Sequence, residues 1–442
     1  MGIMDFIKLN RHMYGFSIGQ MKEYQRSEIV KLVEFAVENA DYYKKQFKNL
    51  KIKNLEDFYK LPTMDKQILM DNFDGINTCG LNLDEVSEYA VEKEINKDYL
   101  GYYKGEYVIG LSSGTSGNKG IFITPKAMTR RLPFVFLARS GIPLKFLPFK
   151  VLFLLRVFSQ GFEDINFPLI KLKYLGTMAP INEIIQELND GKINILMGPP
   201  SLIRHLLPHV SKIKTQIKII VSYAEVIEEE EKEHFSKAFN TRVIEIYQAS
   251  EGQIGSTCKC GNLHINEDLV FVELYDNHGI PVEKPNVVAT RMLVTNLVNR
   301  AQPLIRYEMN DLLMLGENCP CGSNFRVIRK IIGRHDDVIY FKNQSGDQQH
   351  IFPDLMSRWI ITTSDNIREF KVIQNTDSSL QIVIDLFDKS EVAKETLIKD
   401  ITQRLNQELL EFKVKAEIKI EFRFISIEEN TGKFKRFIRL MK

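Results

Sequence analysis

The chain has 442 residues, with 59 Lys and Arg against 57 Asp and Glu, a formal charge of +2. That balance supplies no net field for nucleic acid or an anionic membrane, so the partners it suggests are small molecules. The length suffices for two or three domains around a sizeable core. The sharpest apolar run, Val151–Leu155, stops at Arg156, far short of the roughly 20 residues of a membrane span. The segment Met1-Gly2-Ile3-Met4-Asp5-Phe6 has no secretory apolar region, and Phe6 stands where a myristoylation signal wants Ser or Thr. A cytoplasmic location is expected.

From Lys22 to Phe47 the residues Ile29, Leu32, Val33 and Ala36 recur at helical spacing, and Asn39-Ala40-Asp41 opens a second amphipathic piece. Further on lies Leu111-Ser112-Ser113-Gly114-Thr115-Ser116-Gly117-Asn118-Lys119-Gly120. Its glycines allow main-chain N–H groups to turn toward anionic oxygens, Ser112, Ser113, Thr115 and Ser116 add hydroxyl donors, and Lys119 adds a mobile charge. Such a loop suits a polyphosphate, with an ordinary Ser/Gly surface loop as the alternative. It does not fit the Walker pattern, and the Ile-Phe-Ile-Thr after Gly120 reads as a strand, so the loop is expected to join two strands as a flap. Strand-like and helix-like stretches then alternate: 150–158, 180–189, 193–197, 200–213, 217–221, 226–239 and 243–247. That alternation predicts a layered α/β domain. Residues 264–315 become β-rich, with Val270–Leu274 and Arg291–Val294 the clearest strands. Past Gly333 a smaller α+β unit is expected, with helices at 354–361 and 392–410 and strands at 370–373, 380–384 and 418–422.

Five motifs in order carry a resemblance. The glycine loop is the first. Tyr247-Gln248-Ala249-Ser250-Glu251 resembles an aromatic-x-x-Ser/Thr-Glu motif, and Arg306-Tyr307-Glu308-Met309-Asn310-Asp311-Leu312 an Arg-Tyr-x-x-x-Asp-Leu segment. Gly333-Arg334-His335-Asp336-Asp337 resembles a hinge, and Thr431-Gly432-Lys433-Phe434-Lys435-Arg436 a C-terminal Gly-Lys element. Together they resemble the adenylate-forming superfamily, in its phenylacetate-CoA ligase-like and CapK-like branch, nearly end to end. The resemblance implies an α/β fold with a large N-terminal domain, residues 1–334, of layered α/β and β-rich subdomains, and a small α+β lid, residues 335–442.

It also implies ATP and Mg²⁺. Ser112, Ser113, Gly114, Thr115, Ser116 and Gly117 would line the phosphates, with Lys119 and Lys433 as catalytic cations. Glu251 would hold Mg²⁺, since a hard cation wants a carboxylate. Tyr247 would lie on the adenine, beside Gln248 and Ser250. Asp311 would accept from the ribose hydroxyls, and Arg334 would contact ribose or phosphate. Ala224 and Glu225 belong to Ser222-Tyr223-Ala224-Glu225, which resembles a Gly-Ala-Glu segment lining the adenine but departs from it at Ser222 and Tyr223. Asp336 matches the hinge. The expected reaction is adenylation of a carboxylic acid, aryl by preference, with release of pyrophosphate and transfer to a thiol of CoA or a carrier protein. An adenylyltransferase acting on a hydroxyl is one alternative, and a zinc-braced nucleotide-binding module without turnover is another.

Four of the five cysteines form two Cys-x-Cys pairs, Cys258/Cys260 and Cys319/Cys321, with His264 close behind the first. Two glycine-flanked knuckles suggest a structural zinc site that takes four of these five groups. The resemblance favours Cys258, His264, Cys319 and Cys321, and an all-cysteine set fits the spacing almost as well. Other candidates explain themselves. His205 and His209 flank Pro208 without a zincin glutamate, and Glu228–Glu231 sits in a helical first turn that the helix dipole favours. The basic tail 433–442 belongs to the Gly-Lys element rather than to a nucleic-acid patch.

Overall fold

The computed structural model describes residues 3–48, 50, 52–95, 101–111, 120–155, 169–176, 179–343, 346, 348–425 and 435–440. The glycine-loop residues Ser112–Lys119 and the Gly-Lys element through Phe434, including Lys433, lie outside them. Two compact units emerge. One comprises residues 1–225, 235–309 and 313–330, and the other 226–234, 310–312 and 331–442.

The first unit opens with the helices Ile3–Gly15 and Ile18–Asn39. Ser17 starts the second with a reciprocal capping box through Gln20, satisfying orphan donors at the first turn. Its inner stripe is Met21, Gln25, Ile29, Leu32, Val33 and Ala36, and Ala40 in extended backbone ends it before the short helix Asp41–Gln46.

A ten-stranded sheet forms the scaffold, in the order Val288–Ala289, Asp311–Leu315, Val327–Arg334, Leu263–Ile265, Gly252–Thr257, Arg242–Ala249, Ile219–Ser222, Ile195–Gly198, Phe149–Leu155 and Ile170–Gly176. The last five run parallel, and from Arg242–Ala249 the ladder turns antiparallel through Gly252–Thr257 and Leu263–Ile265 to Val327–Arg334. The parallel strands carry short apolar runs such as Ile219-Ile220-Val221, all buried, as strands covered on both faces require. Helices Ile181–Asp190, Pro200–Leu206 and Glu229–Phe239 connect them. A three-stranded antiparallel sheet, Val270–Tyr275, Arg291–Asn296 and Tyr307–Met309, makes the β-rich part. Tyr107–Leu111 pairs antiparallel with Ile121–Pro125, so the strands flanking the glycine loop are hydrogen-bonded to each other.

Two buried ionic clusters brace this unit. Arg139, fully buried, donates to both oxygens of Asp268 at 2.6 and 2.8 Å and to the Leu9 carbonyl at 2.7 Å. His12 Nδ1 lies 2.9 Å from the same carboxylate. Burial pushes the Asp268 carboxyl up, but Arg139 and His12 hold it below the usual range. Arg306 holds Glu273 through Nε and Nη2 at 3.1 and 2.9 Å and donates to the carbonyls of Tyr59 and Leu61.

The second unit contains a four-stranded sheet ordered Glu417–Phe422, Ser379–Leu386, Ile367–Thr376, Phe437–Arg439. Its core joins Phe370, Val372, Ile382 and Phe437 to Met356, Trp359, Leu397, Ile401 and Leu405 from the helices Pro353–Ile361 and Glu391–Glu411. Ser390 caps the longer helix by accepting from Ala393 N, and its Leu397, Ile401, Leu405 and Leu409 form one stripe at a strict four-residue spacing. Among the described residues no helix is long and apolar enough to cross a membrane.

Candidate active site and metal centre

In an open sheet with parallel strands, ligands bind beyond the carboxyl ends of those strands. The segment following Ile219–Ser222 has the backbone irregularity that such sites carry. Ala224 adopts φ = 70°, a region costly for a residue with a side chain. Before it, Tyr223 N donates to Gly198 O at 3.0 Å, and the Tyr223 ring meets Phe153 edge-on with centroids 5.4 Å apart. Burial pushes the Tyr223 phenol up to about 12. Glu225 accepts from Ser201 N at 3.2 Å and Ser201 Oγ at 2.8 Å, so its carboxylate fastens this segment to the first turn of helix Pro200–Leu206.

The neighbouring strand ends in a hairpin. Arg242–Ala249 pairs with Gly252–Thr257, with a bulge at Tyr247/Gln248 and the turn at Ser250-Glu251. Tyr247 is buried, with Oη 3.9 Å from Met292 Sδ, and Gln248 Nε2 donates to the Ala249 carbonyl. Ser250 is exposed and Glu251 half-buried. The Glu251 carbonyl is held by Asn296 Nδ2 at 2.7 Å, and a Cβ on Gly252 would come within 3.1 Å of that same amide and of Val270. A side chain at 252 would therefore push against the amide that fixes the Glu251 backbone, which would have to give by a few tenths of an ångström. Burial, with Glu251 and Asp65 nearby, pushes the Tyr307 phenol far up.

In the second unit, Asp311 and Arg334 come together, with Arg334 Nε 3.8 Å from Asp311 Oδ1. Gly333 has φ = 137°, with Pro353 3.0 Å from where its Cβ would stand. Asp336 accepts from Asn310 Nδ2 at 2.7 Å, and His335 N donates to Asn310 O at 2.8 Å. Asp337 is pushed up to about 6 by burial, which Lys435 and Arg334 offset only in part. Arg306, the first residue of the Arg-Tyr motif, is spent on Glu273 and two backbone carbonyls. Sequence reasoning did not anticipate that bracing role.

The metal-ligand candidates divide. Cys258, His264, Cys319 and Cys321 gather with their ligand atoms all within 4.8 Å of one another, whereas Cys260 is exposed and not among the four. Cys258 Sγ to Cys319 Sγ is 3.7 Å and Cys321 Sγ to His264 Nε2 is 3.6 Å. A tetrahedral zinc site with bonds of about 2.3 Å to sulfur and about 2.0 Å to nitrogen has edges of about 3.8 and about 3.5 Å. His264 Nδ1 lies 2.8 Å from the Phe325 carbonyl, which selects the tautomer whose Nε2 lone pair faces the thiols. The sulfurs receive N–H donors: Cys260 N and Ser323 N at 3.3 and 3.4 Å, and Asn262 Nδ2 at 3.1 Å. Such donors suit thiolates rather than thiols. Met13, Met21, Tyr14, Phe16 and Phe325 cover the cluster.

No family model matches the chain, and no curated protein matches it. Solved structures do. A 2-hydroxyisobutyryl-CoA ligase in the postadenylation state with 2-HIB-AMP superposes over 97% of this chain and 91% of its own, with TM-score 0.73 and 18% identity. An anthranilate CoA ligase in complex with anthranoyl-AMP matches over 74% of this chain and 65% of its own, with TM-score 0.51 and 16% identity. An ATP-bound RpMatB-BxBclM chimera matches over 73% and 65%, with TM-score 0.51 and 15% identity. The chain has the fold of the adenylate-forming CoA ligases.

Proposed function

We propose that the chain is an adenylate-forming acid–thiol ligase. A carboxylate oxygen attacks the α-phosphorus of ATP, and the bond to the bridging oxygen breaks, releasing pyrophosphate. A thiol sulfur, its proton lost to solvent, then attacks the acyl carbon and AMP departs. Little covalent chemistry falls to the protein, whose work is positioning and charge neutralisation. In this reading Ser112–Gly117 hold the phosphates while Lys119 and Lys433 neutralise developing charge. Glu251 would hold Mg²⁺, which would supply charge neutralisation at the phosphates. Tyr247, Gln248, Ser250 and Ala224 border the nucleotide, Asp311 and Arg334 serve the ribose, and Asp336 is the hinge. Glu225 acts through Ser201, keeping the strained Ala224 in place. The observation that carries the reading is the end-to-end likeness of fold to a ligase bound to an acyl-adenylate, in a chain that carries the five motifs of the adenylate-forming resemblance in order.

The acid is aryl in this proposal, supported by the Phe153–Tyr223 ring pair at the strand ends, and the acceptor is the thiol of CoA. Zinc held by Cys258, His264, Cys319 and Cys321 braces the β-rich part and takes no part in the chemistry. The site has no ligand position left open, as structural zinc sites do not. ATP–pyrophosphate exchange over a panel of aryl, fatty and amino acids tests the first half-reaction, because reversible adenylation scrambles label and binding alone does not. Exchange with an aryl acid followed by thioester formation with CoA is the expected result. No exchange with any acid in the presence of Mg²⁺ overturns the proposal, and stable AMP transfer to a hydroxyl compound replaces it with an adenylyltransferase.

A further inference from the structure

A single residue, Asn310, separates the strand Tyr307–Met309 from the strand Asp311–Leu315. Its carbonyl accepts from His335 N at 2.8 Å, and its side-chain Nδ2 donates to Asp336 Oδ2 at 2.7 Å. His335 and Asp336 belong to the short turn His335–Asp337, which begins directly after Arg334, the last residue of the strand Val327–Arg334. That strand and Asp311–Leu315 are neighbours in the ten-stranded sheet. Asn310 therefore fastens the residue before Asp311 to the two residues after Arg334, where two adjacent strands begin and end. Asn310, Asp311 and residues 334–336 all belong to the second unit, and the Asn310 side chain is exposed.

We infer that Asn310 is a positioning residue for the Asp311–Arg334 pair, a role that rests on the ribose contacts proposed above. Arg334 Nε stands 3.8 Å from Asp311 Oδ1, beyond hydrogen-bond length. The relative placement of these two side chains thus follows the backbones that carry them, and Asn310 ties those backbones together. Its two bonds leave one residue from two points, so they fix an orientation as well as a distance. The side-chain bond ends on a carboxylate, and a bond to an ionised acceptor is shorter and stronger than a neutral one. An amide supplies the donor this place requires, whereas a carboxylate there would set two negative charges against each other. A ribose presents two adjacent hydroxyls, to which a carboxylate offers acceptors and a guanidinium donors, so the spacing of the pair decides how well the sugar is held. Loss of the Asn310 bond leaves both groups in the chain but loosens that spacing. The effect should fall on ribose binding and spare the acid.

Asn310→Ala keeps the backbone bond and loses the side-chain bond, and pyrophosphate exchange with ATP and with 2′-deoxy-ATP reads the result. The KM for ATP should rise about three- to tenfold, the size of one hydrogen bond, while turnover and the KM for the acid stay within about twofold. The KM for 2′-deoxy-ATP, which lacks one of the hydroxyls to be held, should rise less, so the preference for ATP shrinks. Asn310→Asp/Asp336→Asn exchanges donor and acceptor and should restore the wild-type KM, which Asn310→Asp alone should not. Equal rises for the two nucleotides, or a fall in turnover with KM unchanged, would overturn the inference and make Asn310 a merely structural contact. A double variant no better than Asn310→Asp would overturn it as well. A wild type that exchanges with no acid removes the proposed function and this role together, whereas an exchanging wild type beside an indifferent Asn310→Ala removes the role alone.

Discussion

Replacing Arg139 by Ala tests whether the buried charges of the first unit are a brace or an incidental pairing. The guanidinium makes two bonds to Asp268 and one to the Leu9 carbonyl, and both Arg139 and Asp268 are almost wholly shielded from water. Removing one partner of such a pair strands a buried charge, at about 3–5 kcal/mol. The Leu9 carbonyl loses a donor as well, but the losses share one network and do not add. Taking about 4 kcal/mol and about 2–3 °C per kcal/mol for a unit of this size, the melting transition of the first unit should fall by about 8–12 °C. With Arg139 gone, burial raises the Asp268 carboxyl. The native state then binds a proton that the unfolded chain releases, so the variant should be less impaired at pH 5 than at pH 8. Differential scanning calorimetry at both pH values measures this. The double variant Arg139→Met/Asp268→Leu should recover most of the loss, because apolar replacements remove the stranded charge. A loss below about 1 kcal/mol in Arg139→Ala, or no recovery in the double variant, would refute the argument.

Cys319→Ser should release about one zinc per chain and lower the melting temperature, while Cys260→Ser should leave the metal in place; metal analysis of protein prepared without chelators checks both. Glu251→Gln keeps the volume and removes the charge, so pyrophosphate exchange should drop about 100- to 1000-fold with the fold intact by circular dichroism. Asp337 has its folded pKa raised to about 6, so the native state holds its proton more tightly than the unfolded chain. Its contribution therefore worsens as pH rises from about 4 to about 6, by up to about 3 kcal/mol. Asp337→Asn should flatten that dependence and be the more stable protein at pH 7 in urea titrations.

Much of this architecture was legible because the relevant signals are local. Ile219-Ile220-Val221 between turn residues reads as a covered strand, and Leu397, Ile401, Leu405 and Leu409 announce their helix by spacing alone. Ile170–Gly176, the sheet's last strand, went unread although its lysines at 171 and 173 alternate with apolar residues, the pattern of a half-exposed edge strand. Phe437–Arg439 was read as part of a basic tail; three residues become a strand only through a partner some 65 positions earlier. Which of the five candidate metal ligands gather was equally non-local. Cys258 and Cys260 are equivalent in a Cys-x-Cys spacing, and the turn at Gly261, with φ = 96°, leaves one facing His264 and the other facing water. No periodicity marks Arg139, a charge that belongs in the core only because Asp268 arrives 129 residues later.

The two N-terminal helices have consequences for synthesis. Two of their buried polar contacts reach far downstream: His12 meets Asp268 and Gln25 meets Glu267, across 256 and 242 residues. At about 5–20 residues per second, a ribosome delivers those partners about 12–50 s after the helices themselves. During that interval Leu9 can meet Val135 and Ala138 but not Leu269, and Met13 and Met21 lack Cys258, Cys321 and Phe325. The two helices complete their docking only once residues 258–325 have been made, and until then the nascent protein carries partly covered apolar side chains, the kind of surface that holdase chaperones bind.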